Sequence, residues 1–186
     1  MPKHGADAEP PWWNPANALT LLRVALVPVI AALVIIDDPA GRWWAFGIFI
    51  FAALTDSIDG WVARRLIGVT RWGQLADPAA DKVLIIGSLG VLVYLGRLPW
   101  WAVAVIVARE VAVTWQRQML LQSDIVMPAS LFGKAKTVSQ VIAVSAYLYP
   151  GAPDALRSTL LWVALALTVL SGVEYAWRGW RLRRAS

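Results

Sequence analysis

The sequence has no cysteine and only one histidine in its 186 residues. Without cysteine, a disulfide framework, a thiol nucleophile and a cysteine-ligated zinc site are excluded. The single histidine, His4, lies in a polar N-terminal segment, where a solvated side chain is far more common than a ligand or a base. Any acid, base or metal ligand must therefore come from carboxylate, lysine, arginine or hydroxyl groups.

Charge is also scarce. Charged residues make up 16% of the chain and hydrophobic residues 59%, and the mean hydropathy is +0.58. Because soluble globular domains carry about 25% charged residues, we expect this chain to have the bilayer as its solvent. A transmembrane helix needs about 20 mostly apolar residues. Six such stretches lie between short turns rich in proline, glycine and charge, at residues 17–36, 42–66, 75–95, 98–122, 131–149 and 155–178.

We therefore expect an all-α integral membrane protein with six transmembrane helices in residues 14–186, preceded by a flexible cytoplasmic tail in residues 1–13. Six helices place both chain ends on one side of the membrane. Most of the basic residues fall on that side, and the opposite turns hold only Arg42, Arg97 and Arg157. The positive-inside rule assigns the basic side to the cytoplasm.

The net charge of +5 fits this topology and an attraction to anionic membrane lipids. Nucleic-acid binding is not expected, because the cations are spread over several loops and no soluble module carries them.

Four of the twelve acidic residues fall within 26 positions, at the predicted cytoplasmic ends of the second and third apolar stretches. Asp56 and Asp59 are three residues apart, and Asp77 and Asp81 are four apart, so each pair lies on one face of a helix. A carboxylate near lipid costs about 2.5–3.5 kcal/mol, and four together require a compensating cation. Hard oxygen ligands without histidine or cysteine select Mg²⁺, Mn²⁺ or Ca²⁺ rather than zinc.

Small residues lie between these acids. Gly60 and Ala63 keep the second helix free of bulky side chains beside the carboxylates, and Gly73 does the same at the start of the third helix. Such positions allow close approach by another helix or by a ligand. Arg64 adds a planar guanidinium suited to phosphate, although a topological charge would explain it equally well. A metal site with an arginine beside a groove points to a substrate that contains pyrophosphate.

The spacing Asp56-x2-Asp59-Gly60-x2-Ala63-Arg64-x8-Gly73-x3-Asp77-x3-Asp81 resembles the signature of the CDP-alcohol phosphotransferase family. The resemblance implies a six-helix membrane fold, usually a homodimer, and transfer of a phosphatidyl-type group from a CDP-linked donor to an alcohol with release of CMP. It also implies that the four aspartates hold two divalent metal ions, Mg²⁺ or Mn²⁺, and that Asp81 is the general base. The residues that would bind the CDP group are Asp59, Gly60, Ala63, Arg64 and Gly73.

Outside the motif, the chain resembles the bacterial phosphatidylglycerophosphate synthases of that family. The resemblance covers Asn17-x-Leu19-Thr20-x2-Arg23 with Pro28, Asp77-Pro78-x-Ala80-Asp81-Lys82, Ala108-Arg109-Glu110 and Gly133-Lys134-x-Lys136-Thr137. It implies CDP-diacylglycerol as donor, glycerol 3-phosphate as acceptor, and a place in the bacterial inner membrane with the active site facing the cytoplasm.

A phosphorylated acceptor needs a cationic pocket, because a dianion in a cleft must be matched by positive charge. Arg109, Lys134 and Lys136 are the candidates, with Arg117 about two helical turns beyond Arg109. The alternative is that the two lysines are interfacial anchors and that Arg109 pairs with Glu110 or with another helix.

Asn17, Thr20 and Arg23 recur at three-residue intervals on the first helix, and we expect them to brace the metal site or the nucleotide. Other acceptors remain open within the family, namely those of phosphatidylinositol-phosphate synthase and cardiolipin synthase. A divalent-cation carrier is the non-enzyme alternative. It is disfavoured because the acids lie near one membrane face and no inverted repeat is present.

Overall fold

The structure is a computed structural model that describes residues 15–66, 71–122, 127 and 130–185. Within the helices, the side chains of residues 15–20, 56–66, 71–81, 183 and 185 lie outside the description. The predicted tail, residues 1–13, lies outside it entirely.

The described chain contains six α-helices and no β-strand, as the hydropathy pattern predicted. Helix α3 begins four residues before the predicted start and α6 continues seven residues past the predicted end. Polar and basic residues occupy both extensions. A search for apolar stretches therefore leaves these residues out, although they are helical. The helices are α1 Pro15–Ile36, α2 Pro39–Leu66, α3 Arg71–Tyr94, α4 Trp100–Leu121, α5 Leu131–Leu148 and α6 Asp154–Ala185.

Helix α1 packs against both α2 and α3, and α6 packs against both α4 and α5. The main core combines small and large apolar residues from all six helices, such as Ala45 and Phe49 of α2 and Leu89 of α3. The approach of α1 and α3 is close at Gly87, where an added Cβ would lie 2.5 Å from Cγ1 of Val27. Glycine is therefore required there for the two helices to touch.

Helix α6 shows how the apolar residues are distributed. Its buried positions recur every three or four residues. Several of them carry small or polar side chains, among them Ala164, Thr168 and Ser171. Its exposed face carries large apolar residues instead, including Trp162, Leu170 and Val173. Small residues inside and large apolar residues outside are the pattern of a helix that faces lipid.

Among the residues with described side chains, Asp154–Leu182 of α6 is long and apolar enough to cross a membrane, and Leu21–Ile36 and Lys82–Tyr94 are shorter apolar helical segments. The expectation of six helices is thus confirmed for the described chain. That all six cross the bilayer stays a prediction.

The end of the bundle that carries the connections 37–38, 95–99 and 149–153 is called the turn end below. Here Asp37, in the left-handed region at φ 60°, accepts hydrogen bonds from Arg42 Nε and Arg97 Nη2, each at 2.6 Å. These contacts tie the α1–α2 and α3–α4 connections together. The Arg42 hydrogen bond, followed by that of Arg97, holds the pKa of the Asp37 carboxyl well below its usual range.

Two further aspartates serve the turn end. The Asp38 carboxylate accepts a hydrogen bond from the Gly41 backbone N–H at 2.7 Å and so caps the start of α2. Asp154 accepts from Arg157 Nη1 at 3.1 Å in the first turn of α6. Every arginine of the turn end therefore has a carboxylate partner.

Candidate active site

The backbone brings the four aspartates to matching heights on consecutive helices. Asp59 lies seven residues before the end of α2, and Asp77 lies six residues after the start of α3. At a rise of about 1.5 Å per residue, both are about 10 Å from the α2–α3 connection. Asp56 and Asp81 are each ten residues from that connection, or about 15 Å. Along the backbone, each aspartate position on one helix therefore has a counterpart on the other at a similar distance from the connection.

Helix α1 packs against both α2 and α3, the two helices that carry the aspartates. The four aspartate side chains lie outside the described residues, as do those of Gly60, Ala63, Arg64 and Gly73. Among the side chains that the structure does describe, no group of three or more potential metal ligands is present. Aspartate oxygens are ligands that hard divalent cations prefer, and the metal site stays a prediction.

A cavity of about 430 Å³ lies beside this region, between α3, α4, α5 and α6. All four cations predicted for the acceptor line it, and so does Lys82, which directly follows Asp81 on α3. We call it the cation cavity. Its charged lining residues are Lys82, Arg109, Glu110, Arg117, Lys134 and Lys136.

Among the described side chains, Glu110 is the one carboxylate in the lining of the cation cavity. It is 9% exposed, and it forms ion pairs with Lys136 and with Arg109 Nη1, the latter at 3.1 Å. Arg109 also donates from Nε to Ser171 Oγ of α6 at 3.1 Å. Arg109 therefore pairs with Glu110, as the alternative interpretation expected, while it also lines the predicted cavity.

The remaining cations of the cavity have no carboxylate partner among the described residues. Lys82 Nζ donates to Thr114 Oγ1 at 2.5 Å, and Arg117 Nη2 donates to the Tyr175 hydroxyl at 2.7 Å. Lys134 is exposed at the start of α5. As far as its side chains are described, the lining thus combines five cations with one carboxylate, and this excess of positive charge favours an anionic ligand.

Tyr175 of α6 was not among the residues that sequence reasoning selected. It is 2% exposed, and its hydroxyl oxygen accepts from Arg117 and also from the Ser130 backbone N–H at 3.0 Å. The guanidinium carbons of Arg109 and Arg117 lie 5.4 and 5.0 Å from its ring centroid. In the sequence Tyr175 is one aromatic residue within a long apolar helix, so no local signal distinguishes it.

Of the three residues expected to brace the site from α1, the side chains of Asn17 and Thr20 lie outside the described residues. Arg23 is described and is only 4% exposed. A buried arginine in an apolar helix needs polar surroundings, so its position is consistent with a supporting role.

A second cavity, of about 760 Å³, lies between α4 and α6 and shares Arg109 and Val113 with the cation cavity. Its walls are mostly apolar. They include small residues such as Ala112 and Gly172 and the larger Trp115 and Trp180. A charged and an apolar cavity therefore adjoin each other at Arg109.

The profile of the CDP-alcohol phosphatidyltransferase family matches residues 13–170. The chain is 38% identical to a protein of Bacillus subtilis named CDP-diacylglycerol–glycerol-3-phosphate 3-phosphatidyltransferase, over 94% of this chain and 99% of the relative. It is also 38% identical to a protein of Mycobacterium tuberculosis named "probable phosphatidylglycerophosphate synthase", over 90% of this chain and 82% of the relative. A relative in Rickettsia bellii with the same name as that of B. subtilis is 32% identical, over 87% and 93%.

Proposed function

Because the chain belongs to the CDP-alcohol phosphatidyltransferase family, we propose that it transfers a phosphatidyl group from CDP-diacylglycerol to glycerol 3-phosphate. The products are phosphatidylglycerophosphate and CMP. The names of its relatives in B. subtilis and R. bellii support this donor and this acceptor.

The observation that carries the proposal is the cation cavity directly beside Asp81. Lys82 lines that cavity and is the next residue in the chain after Asp81, so a ligand in the cavity lies close to the aspartate motif. The five cations suit the phosphate group of glycerol 3-phosphate, which is a dianion near neutral pH. An uncharged alcohol would not need them.

Asp56, Asp59, Asp77 and Asp81 would hold two divalent ions, Mg²⁺ or Mn²⁺. When bound, these ions supply positive charge that stabilises the departing CMP. The Arg64 guanidinium would bind the pyrophosphate, with Gly60, Ala63 and Gly73 giving it room.

The acceptor hydroxyl oxygen attacks the phosphorus that carries the diacylglycerol group, and the bond from that phosphorus to the oxygen of the departing CMP breaks. The Asp81 carboxylate takes the hydroxyl proton as general base. Arg109, Lys134, Lys136 and Arg117 would hold the acceptor phosphate, and Asn17, Thr20 and Arg23 would support the site from α1.

The enzyme would lie in the bacterial inner membrane, with all six helices across the bilayer and the cation cavity facing the cytoplasm. Large exposed apolar residues on α6 and the basic residues around the cavity support this orientation. By resemblance to its family the protein would be a homodimer, which light scattering of the detergent-solubilised protein can measure.

CMP release by the purified protein tests the proposal. With CDP-diacylglycerol, Mg²⁺ or Mn²⁺ and glycerol 3-phosphate, we expect CMP release that depends on the acceptor and stops when a chelator is added. Inositol phosphate and phosphatidylglycerol serve as competing acceptors. Faster release with either of them would reassign the acceptor, and no CMP with any of the three would refute the enzyme class and leave the cation carrier.

Replacement of Asp81 tests the general base. We expect Asp81→Asn to lower kcat by about 10²–10⁴-fold, because the amide cannot take the hydroxyl proton, while binding of CDP-diacylglycerol is partly retained. The matched control is Asp154→Asn, an exposed aspartate at the turn end, for which we expect full activity. Equal kcat for Asp81→Asn and the wild type would exclude Asp81 as the base.

A further inference from the structure

The Tyr175 hydroxyl accepts hydrogen bonds from Arg117 and from the Ser130 backbone N–H, just before the helix that carries Lys134. We propose that Tyr175 is the positioning residue of the acceptor site, and that it fixes Arg117 and Lys134 in the places where they bind the acceptor phosphate. This inference rests on the proposed function.

The contact with Arg117 is direct. The Tyr175 hydroxyl is the hydrogen-bond partner of the Arg117 guanidinium among the described side chains, and the guanidinium carbon lies 5.0 Å from the ring centroid. The Arg117 Nε atom is buried and makes no hydrogen bond to a described residue. Without Tyr175, the long side chain would be free to adopt other rotamers or to turn towards Glu110, the carboxylate of the same cavity. Either movement would remove positive charge from the ligand.

The contact with Lys134 runs through the first turn of α5. The Tyr175 hydroxyl accepts from the Ser130 backbone N–H, and Ser130 Oγ in turn caps the helix by accepting from the Gly133 N–H at 2.9 Å. A Cβ added at Gly133 would lie 3.3 Å from both the ring and the hydroxyl of Tyr175. The residue that precedes Lys134 is therefore packed directly against Tyr175.

Arg117 and Lys134 are two of the three cavity cations that lack a carboxylate partner among the described residues, so part of the charge offered to a phosphate monoester depends on one tyrosine. Fixing a side chain in its bound conformation lowers the entropy that binding must overcome. The effect should appear as acceptor affinity rather than as turnover, because the proton is transferred at Asp81 and not at Tyr175.

The variant Tyr175→Phe tests the role of the hydroxyl separately from that of the aromatic ring. It keeps the packing of the aromatic ring but removes the acceptor for Arg117 and Ser130. We expect the KM for glycerol 3-phosphate to rise about tenfold, as for the loss of one charge-assisted hydrogen bond. The kcat and the KM for CDP-diacylglycerol should change less than about twofold. Tyr147→Phe is the matched control, because Tyr147 is a partly buried tyrosine at the turn end.

A double-mutant cycle distinguishes positioning from loss of general stability. If Tyr175 acts through Arg117, then Tyr175→Phe combined with Arg117→Met should have nearly the same acceptor KM as Arg117→Met alone. Effects that multiply would overturn the inference. So would a Tyr175→Phe variant that impairs both substrates equally, since that result indicates a structural role only.

Binding measured without turnover separates this inference from the proposed function. Glycerol 3-phosphate should raise the thermal unfolding midpoint of the wild type, and Tyr175→Phe should need about tenfold more ligand for the same rise. A wild type that binds glycerol 3-phosphate but releases no CMP would refute the function and keep the inference. Equal acceptor affinities in the two proteins would refute the inference alone, and a wild type that glycerol 3-phosphate does not stabilise would refute both.

Discussion

The two ends of the helix bundle differ in how their charged side chains are paired. At the turn end, three arginines pair with two aspartates, Asp37 and Asp154, and a third aspartate, Asp38, caps a helix. In the cation cavity, the described lining holds five cations and one carboxylate, Glu110, which pairs with Arg109 and Lys136. The described charges of the turn end are therefore paired within the protein, whereas those of the cavity leave an excess of cations that would suit an anion.

The ion pairs of the two ends also differ in how deeply they are buried. Asp37 and Arg42 are more than one third exposed, and ion pairs of that kind contribute little because water screens them. Glu110 and Lys136 are nearly buried, so their charges cannot be satisfied by water and depend on each other. Charge at the turn end therefore serves the fold, and under the proposed function charge in the cavity would serve a ligand.

The largest effect should come from removing the single carboxylate of the cavity. Glu110→Gln removes the carboxylate that pairs with Lys136 and Arg109 in a nearly buried site, and breaking such a pair costs about 3–5 kcal/mol. We expect the thermal unfolding midpoint in detergent to fall by at least about 6 °C. Asp154→Asn at the turn end is the control, with a change below about 2 °C. Equal unfolding midpoints for the two variants would contradict the proposed difference between the cavity and the turn end.

The next effect concerns the cations that Glu110 does not neutralise. Arg117→Met and Lys134→Met each remove one charge that would bind the acceptor phosphate, worth about 1.5–3 kcal/mol. The KM for glycerol 3-phosphate should rise about tenfold to a hundredfold, and the KM for CDP-diacylglycerol should stay the same. Arg97→Met, which removes a cation of the turn end, should leave both constants unchanged. If Arg97→Met has the same effect as Arg117→Met, the cavity is not the acceptor site.

The smallest effect should come from Asp37. Its hydrogen bonds to Arg42 and Arg97 lower the pKa of its carboxyl, so the folded state favours the ionised form. The stabilisation is present above the pKa of the unfolded chain, about 3.9, and is lost as the pH falls below that value. Asp37→Asn should lower the unfolding midpoint by no more than about 3 °C at pH 7. The difference from the wild type should shrink as the pH is lowered from 5 to about 3, and a difference that grows would contradict the assignment.

Much of the fold could be predicted from local sequence. The apolar stretches located all six helices of the described chain, because a segment of about 20 apolar residues next to a turn has few other stable forms. The helical spacing of Asp56, Asp59, Asp77 and Asp81 placed each pair on one face. Arg109, Lys134 and Lys136 could be selected as candidate site residues because charge is rare in apolar helices.

Local sequence patterns therefore specify the helices, their order and the residues of unusual character. The partners of those residues depend on tertiary packing: Glu110 binds Lys136, 26 residues away, and Tyr175 binds Arg117, 58 residues away. Helical periodicity specifies which residues share a face, but it does not specify which face of another helix they meet. That choice comes from the packing of α6 against α4 and α5, which no local pattern of a single helix contains.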